Sequence, residues 1–268
     1  MQTYAYGFPK LGKSREFKKI LESFWGRGTG EELWKGVEKL EEERESTYLK
    51  YIEKFPTGEI SLYDPMLDTA ILFGLYEIEN LTDYFELCRG KGALEMTKWF
   101  NTNYHYLVPE IKTPKFNLNW NRIKKILCKK QGNIQYFIGP FTYLKLSKGI
   151  SHEKFGDYLL ALAEKYKELI KQFKEVHIDE PAFVLELSKE EIKLIKEIYK
   201  VLGSQTKINL LTYYESVDFF KDLLELPVNS IGLDLVNGKE NLKNLKRFDF
   251  PKDKTLIAGI VNGRNVWR

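Results

Sequence analysis

The run Ile134-Gln-Tyr-Phe-Ile138, closed by Gly139-Pro-Phe141, decides the fold. It is a short apolar segment bounded by residues that turn the chain, and it reads as a buried strand. The same unit recurs further along, at Val176-His-Ile178, Lys207-Ile-Asn-Leu-Leu211, Ser230-Ile-Gly-Leu-Asp-Leu-Val236 and Thr255-Leu-Ile-Ala-Gly-Ile-Val261. Between these strands lie helical stripes: one through Phe155, Leu159, Leu162, Tyr166 and Leu169, one through Ile192, Ile195, Tyr199 and Leu202, and one through Val217, Phe220 and Leu224. The second opens on Ser188-Lys-Glu-Glu191, the spacing of a capping box. Strand-to-strand steps of roughly 25 to 40 residues, each holding a helix, predict serial βα units and a parallel sheet. No Gly-rich dinucleotide fingerprint or phosphate loop follows a strand, so the expected fold is α/β, a (β/α)8 TIM-type barrel.

Towards the N-terminus, Thr3-Tyr-Ala-Tyr-Gly-Phe8 reads as a strand closed by Pro9. A helix follows, with Ser14 as its N-cap and Phe17, Ile20, Leu21, Phe24 and Trp25 as its apolar stripe. Arg15, Lys18 and Lys19 lie in its first turns, where cations oppose the helix dipole and an anion bound at the helix start would offset them. A second helix is expected from about residue 31 to 55, a strand at Glu59-Ile-Ser-Leu-Tyr63, and a helix opened by Asp64-Pro65. A short helical piece covers residues 84 to 89.

Then comes Glu95-Met-Thr-Lys-Trp-Phe-Asn-Thr-Asn-Tyr-His-Tyr-Leu-Val-Pro-Glu110, too rich in amides and charges for a core. It reads as an extended, half-buried ribbon with Met96, Lys98 and Phe100 on one set of positions and Thr97, Trp99 and Asn101 on the other. Lys98, flanked by Trp99 and Phe100, has a stem that neighbours can cover and an ammonium free to face a pocket or solvent.

The chain has 268 residues, 43% of them hydrophobic and 14% aromatic, enough to bury a full core. No run of about 18 apolar residues occurs and no signal-peptide pattern is present, so a soluble, cytoplasmic protein is expected, with no membrane partner. The net charge of +4 comes from 42 basic and 38 acidic residues mixed along helices, a solvated surface and no nucleic-acid footprint. Two cysteines, Cys88 and Cys128, form neither a disulfide framework nor a zinc-binding pair.

Several of these residues together resemble a known family. Gly7-Phe-Pro-Lys-Leu-Gly12, Arg15-Glu-Phe-Lys18, Leu67-Asp-Thr69, the block Leu94-Glu-Met-Thr-Lys98 through Glu110, Ile138-Gly-Pro-Phe141, Asp179-Glu-Pro-Ala182 and Asn262-Gly-Arg264 resemble the N-terminal half of cobalamin-independent methionine synthase. The resemblance spans nearly the whole chain. It implies a methyltransferase of methionine biosynthesis, built from two face-to-face barrels, that moves a methyl group from 5-methyltetrahydropteroyltriglutamate to homocysteine. It places the zinc that activates the homocysteine thiolate on the second barrel, so this chain is expected to carry no cofactor and to be inactive alone. It also implies that residues 1–268 are the N-terminal barrel domain, and that the ribbon at about 94–110 is an insertion after the second strand. On the same basis residues 255–261 are the seventh barrel strand, with the eighth strand and its helix missing. The site residues it implies are contacts to the folate tail: Arg15, Glu16, Phe17, Lys18 and Lys98. Chemistry agrees for the cations, since a polyglutamate tail is a string of carboxylates. The expected partners are the folate polyglutamate and a C-terminal barrel, covalent or separate; a free-standing module that docks on a separate half is the alternative.

A barrel hydrolase using Asp179 and Glu180 is a third reading, disfavoured because adjacent residues on a strand face opposite ways. The Asp179-Glu180-Pro181 carboxylates read as holders of neighbouring loops, and His177 as a packed histidine. His105 is equally a substrate contact or a support for Tyr104 and Tyr106.

Overall fold

A computed structural model of the chain describes residues 1–5, 15–26, 29–58, 61–127, 134–203 and 206–262, with the side chains of 15–17, 26 and 124–127 excepted. Its frame is a six-stranded parallel sheet in the order β1 (Pro56–Thr57), β4 (Ile134–Ile138), β5 (Glu175–Asp179), β6 (Lys207–Leu211), β7 (Ser230–Asp234) and β8 (Thr255–Gly259). Residues 3–5 add a parallel line beside β1: Tyr4 bridges Lys54, the Ala5 N–H donates to the Lys54 carbonyl and the Lys54 N–H to that of Thr3. Chain order and spatial order therefore coincide over seven parallel positions, and β8 is the seventh, as a (β/α)8 barrel requires.

The sheet is curled. Tyr4 sits three strand positions from β5, about 14 Å along a flat sheet. Yet its hydroxyl reaches the Nδ1 of His177 at 2.7 Å, which only a closing wall permits.

The strands alternate cleanly. Val176, Ile178, Ile208, Leu210, Ile231 and Leu233 are buried on one set of positions. The register places Glu175, His177 and Asp179 beside Lys207, Asn209 and Leu211, and these beside Ser230 and Gly232 on the other set. The apolar set faces the helices α7 (Phe155–Ile170), α8 (Lys189–Leu202) and α9 (Phe220–Glu225), whose Leu159, Tyr199 and Leu223 are fully buried in the main core. The polar and small set lines the barrel interior. The expected capping box of α8 is present, with the Ser188 hydroxyl accepting from the Glu191 N–H and the Glu191 carboxylate accepting from the Ser188 N–H.

The N-terminal third departs more from expectation. Helices α1 (Arg15–Gly26) and α2 (Gly30–Tyr48) pack as a pair, but α2 ends at Tyr48, not near residue 55. Lys54 is drawn into the parallel bridge with Tyr4, and sheet pairing overrides local helical pattern. Of the strand expected at residues 59–63, residues 59 and 60 lie outside the described residues; the strand that is described in this region is Pro56–Thr57. Gly58, at φ +79, turns the chain, and a residue with a Cβ there would run into the Gln135 side-chain amide. Residues 61–63 then lead without strand pairing into α3 (Pro65–Leu72), which has Asp64 as N-cap and Pro at its first position. The next helix, α4 (Leu81–Arg89), begins three residues before the expected start.

The ribbon is a hairpin. Strands β2 (Met96–Lys98) and β3 (His105–Leu107) pair antiparallel as a separate two-stranded sheet, inserted in sequence between β1 and β4. The expected alternation stops at Lys98: Phe100, at φ +50, turns the chain, and its ring packs on Trp99 and Tyr214 instead of sharing the Lys98 face. Among the described residues the remaining α-helices are α5 (Trp120–Leu127), α6 (Pro140–Lys145) and α10 (Lys239–Arg247). Ser14, Gly7-Phe-Pro9, Cys128 and the Gly263-Arg264 pair lie outside the described residues.

Candidate functional site

The hairpin stands at the C-terminal end of the barrel strands, the face where (β/α)8 barrels hold their sites. Its turn reaches the loop after β6, where the Phe100 and Tyr214 rings lie 5.6 Å apart. Both residues have positive φ, +50 and +87, and Tyr214 is held there by its N–H donating to Asp234 Oδ2 at 3.2 Å. Two strained non-glycine residues meeting at one contact mark a junction that the surrounding structure enforces.

Asp64 anchors the other end. It is fully buried and accepts three hydrogen bonds, from the Tyr104 hydroxyl at 2.6 Å and from the Leu67 and Leu107 N–H groups at 3.1 Å each. One carboxylate thus caps α3 and pins both the turn and β3. Burial pushes its pKa up to about 7 against the opposing pull of these donors.

The two faces of the hairpin differ. Trp99 and Tyr106 are buried in the main core. On the opposite face Leu107 is buried in a second core, which it shares with Leu21 of α1, Leu33 and Val37 of α2, Leu67 of α3 and Phe85 of α4. Lys98 and His105 belong to the Leu107 face by alternation, and both are exposed. The charged side of the hairpin tip therefore lies on the side of the molecule where α1 packs.

Of the sequence-derived site residues, Arg15, Glu16 and Phe17 form the first turn of α1 and Lys18 is exposed on the same helix. The side chains of residues 15–17 are outside the described set. Lys98 is exposed at the last position of β2. The shared second core brings α1 and the hairpin into one lobe.

A polar chain that sequence reasoning missed runs through the barrel interior. Tyr4 donates to His177 Nδ1 at 2.7 Å, His177 Nε2 meets Asp179 Oδ1 at 2.7 Å, and the Tyr213 hydroxyl donates to Asp179 Oδ2 at 3.1 Å. Burial, reinforced by Asp179 and Glu175, holds Tyr4 protonated, so it is a donor and no nucleophile. His177 is packed, as expected. The alternation Glu175-Val-His-Ile-Asp179 was the signal in the sequence for a polar interior.

Asp179 and Glu180 diverge. Glu180 turns to the helices, where Oε1 accepts from the Phe141 N–H and the Tyr199 hydroxyl, both at 3.1 Å, and Oε2 from the Thr142 N–H at 2.7 Å. Burial raises its pKa to about 7. The pair does not converge on one substrate atom, which removes the dyad geometry of a glycosidase-like hydrolase.

Among the described residues no group of three or more His, Cys, Asp or Glu could hold a metal ion. Cys88 is buried with its thiol donating to the Tyr84 carbonyl, and burial raises its pKa. Both His177 nitrogens are engaged. These groups do not fit a thiolate-imidazole zinc set. No helix among the described residues is long and apolar enough to cross a membrane.

Comparisons with known proteins bear on the family and the fold. The family described as "Cobalamin-independent synthase, N-terminal domain" matches residues 2–268. A 5-methyltetrahydropteroyltriglutamate–homocysteine methyltransferase of Thermotoga sp. (strain RQ2) is 42% identical over 100% of this chain and 39% of its own length. The protein of that name from Listeria welshimeri is 39% identical over 98% of this chain and 38% of its own. The chain thus spans about 39% of the length of such curated relatives. A solved B12-independent methionine synthase from Shewanella sp. W3-18-1, in complex with selenomethionine, shares the fold with a TM-score of 0.60 and 14% identity, over 87% of this chain and 72% of that one. The chain belongs to the cobalamin-independent methionine synthase family, and the part of that family it matches is the N-terminal domain.

Proposed function

We propose that this chain, as the N-terminal barrel domain, is the folate-tail-binding part of a cobalamin-independent methionine synthase. Its ligand is the polyglutamate tail of 5-methyltetrahydropteroyltriglutamate, the substrate that the relatives' name prints. The observation that carries this reading is Lys98, an exposed cation at the barrel mouth, on the hairpin face that shares a core with α1. Lys18 is exposed on α1, whose first turn also carries Arg15, Glu16 and Phe17 in sequence, so cations from α1 and the hairpin are available to a chain of carboxylates. Each exposed pair contributes on the order of 1 kcal/mol or less, so several cations are needed for useful affinity.

Methyl transfer to homocysteine is assigned to a C-terminal barrel that carries the zinc. The chain alone is expected neither to bind stoichiometric zinc nor to form methionine. That barrel, covalent or separate, is the partner this reading expects.

The test is titration of the chain with triglutamyl and monoglutamyl 5-methyltetrahydrofolate, wild type against Lys98→Ala. The triglutamate should bind more tightly, added salt should reduce its advantage, and the substitution should shrink it. Equal, salt-insensitive binding of both forms by the wild type would remove the tail from this site.

A further inference from the structure

The hairpin offers a second group beside Lys98. Met96 pairs with Leu107, Thr97 with Tyr106 and Lys98 with His105. The flanking bonds, Val108 N–H to the Glu95 carbonyl at 2.8 Å and Trp99 N–H to the Tyr104 carbonyl at 2.7 Å, alternate along an antiparallel ladder. They make Lys98 and His105 a non-hydrogen-bonded pair, the kind whose side chains stand closest, with Cβ atoms about 4.5–5.5 Å apart.

Both side chains are exposed, and neither makes a hydrogen bond, ion pair or ring contact among the described residues. Other charges of the ribbon are paired: Glu95 with Lys148 at 2.8 Å, and Glu110 with Lys112 at 3.9 Å. An acid opposite Lys98 would have stabilised the hairpin across the strands. The chain instead places an imidazole there, a group that donates N–H in its neutral and its charged form.

We propose that His105 is a second contact to the anionic tail, with Lys98 and His105 bracketing one carboxylate from the two strands. This rests on the tail-binding reading above and names a residue that the family resemblance left unassigned. The pairing geometry selects a single carboxylate, because the two tips extend from directly opposite positions on one face.

The experiment measures the ratio of monoglutamyl to triglutamyl Kd for wild type, His105→Gln, His105→Lys and Lys98→Ala, with the urea midpoint of each as a control for folding. His105→Gln should reduce the ratio by about threefold, in the range of one exposed charge-assisted contact, with the urea midpoint unchanged. His105→Lys should restore it. If Lys98→Ala reduces the ratio and His105→Gln leaves it at the wild-type value, the His105 contact is overturned while tail binding stands. If the wild type itself shows no preference for the triglutamate, the tail reading fails and His105 falls with it.

Discussion

The carboxylate of Glu180 and the ammonium of Lys98 occupy opposite ends of one scale. Glu180 is fully buried and takes three donors from α6 and α8, while Lys98 is exposed and has no described partner. The first is charge used to hold neighbouring elements together; the second is charge left over after folding. In a protein whose buried polar groups are mostly paired, the leftover group is the better guide to a ligand. The same contrast separates Asp64, which pins the hairpin, from His105, which sits on it.

The largest effect should come from breaking the buried member. Glu180→Ala strands the Phe141 and Thr142 N–H groups and the Tyr199 hydroxyl, and should cost about 3–5 kcal/mol of stability in urea unfolding. Next is Tyr104→Phe, which removes the 2.6 Å bond to Asp64 and should cost roughly 1.5–3 kcal/mol, with hydrogen exchange rising first at the Leu107 N–H.

A pH titration of stability sharpens the comparison from another side. Asp64 and Glu180 have folded pKa values of about 7, raised from the 3.8 and 4.5 of the free groups. In this window the native state binds more protons than the unfolded state. Their contribution to stability is therefore full below about pH 4 and is lost as pH rises through 7. Asp64→Asn, which keeps an oxygen for the two backbone donors, should flatten part of that fall; an unchanged slope in thermal melts would mean Asp64 is ionised throughout.

Phe100→Ala should have a smaller effect, about 0.5–1.5 kcal/mol, by removing the ring contact that ties the hairpin turn to Tyr214. Smallest is Lys98→Ala, expected within about 0.5 kcal/mol of wild type in stability even though it removes the proposed tail contact. A large loss of stability there would turn Lys98 into a structural group and dissolve the contrast.

The barrel wall from β4 to β8 was legible because each unit is local: an alternating strand, a turn and an amphipathic helix lie within one short stretch. The errors fell where pairing partners are distant. The helical pattern carries the expected α2 past its observed end at Tyr48, since the pull of Tyr4 on Lys54 across 50 residues leaves no trace in that segment. The ribbon's composition showed an unusual segment, but not its turn at Phe100, because no glycine stands at the positive φ that would have announced it.

Of the site, the sequence supplied the cations and the order of the elements that carry them, and Pro65 after Asp64 announced a helix start. Periodicity and side-chain chemistry are properties of neighbours along the chain, so these followed from residues alone. Tertiary structure alone decided that Asp64 is buried under Tyr104 and that Tyr4, His177, Asp179 and Tyr213 form one interior chain. It alone set Lys98 opposite His105 on the face shared with α1. Each of these depends on which face of a strand meets which neighbour, and that is fixed by register and curvature once the sheet has closed around its core.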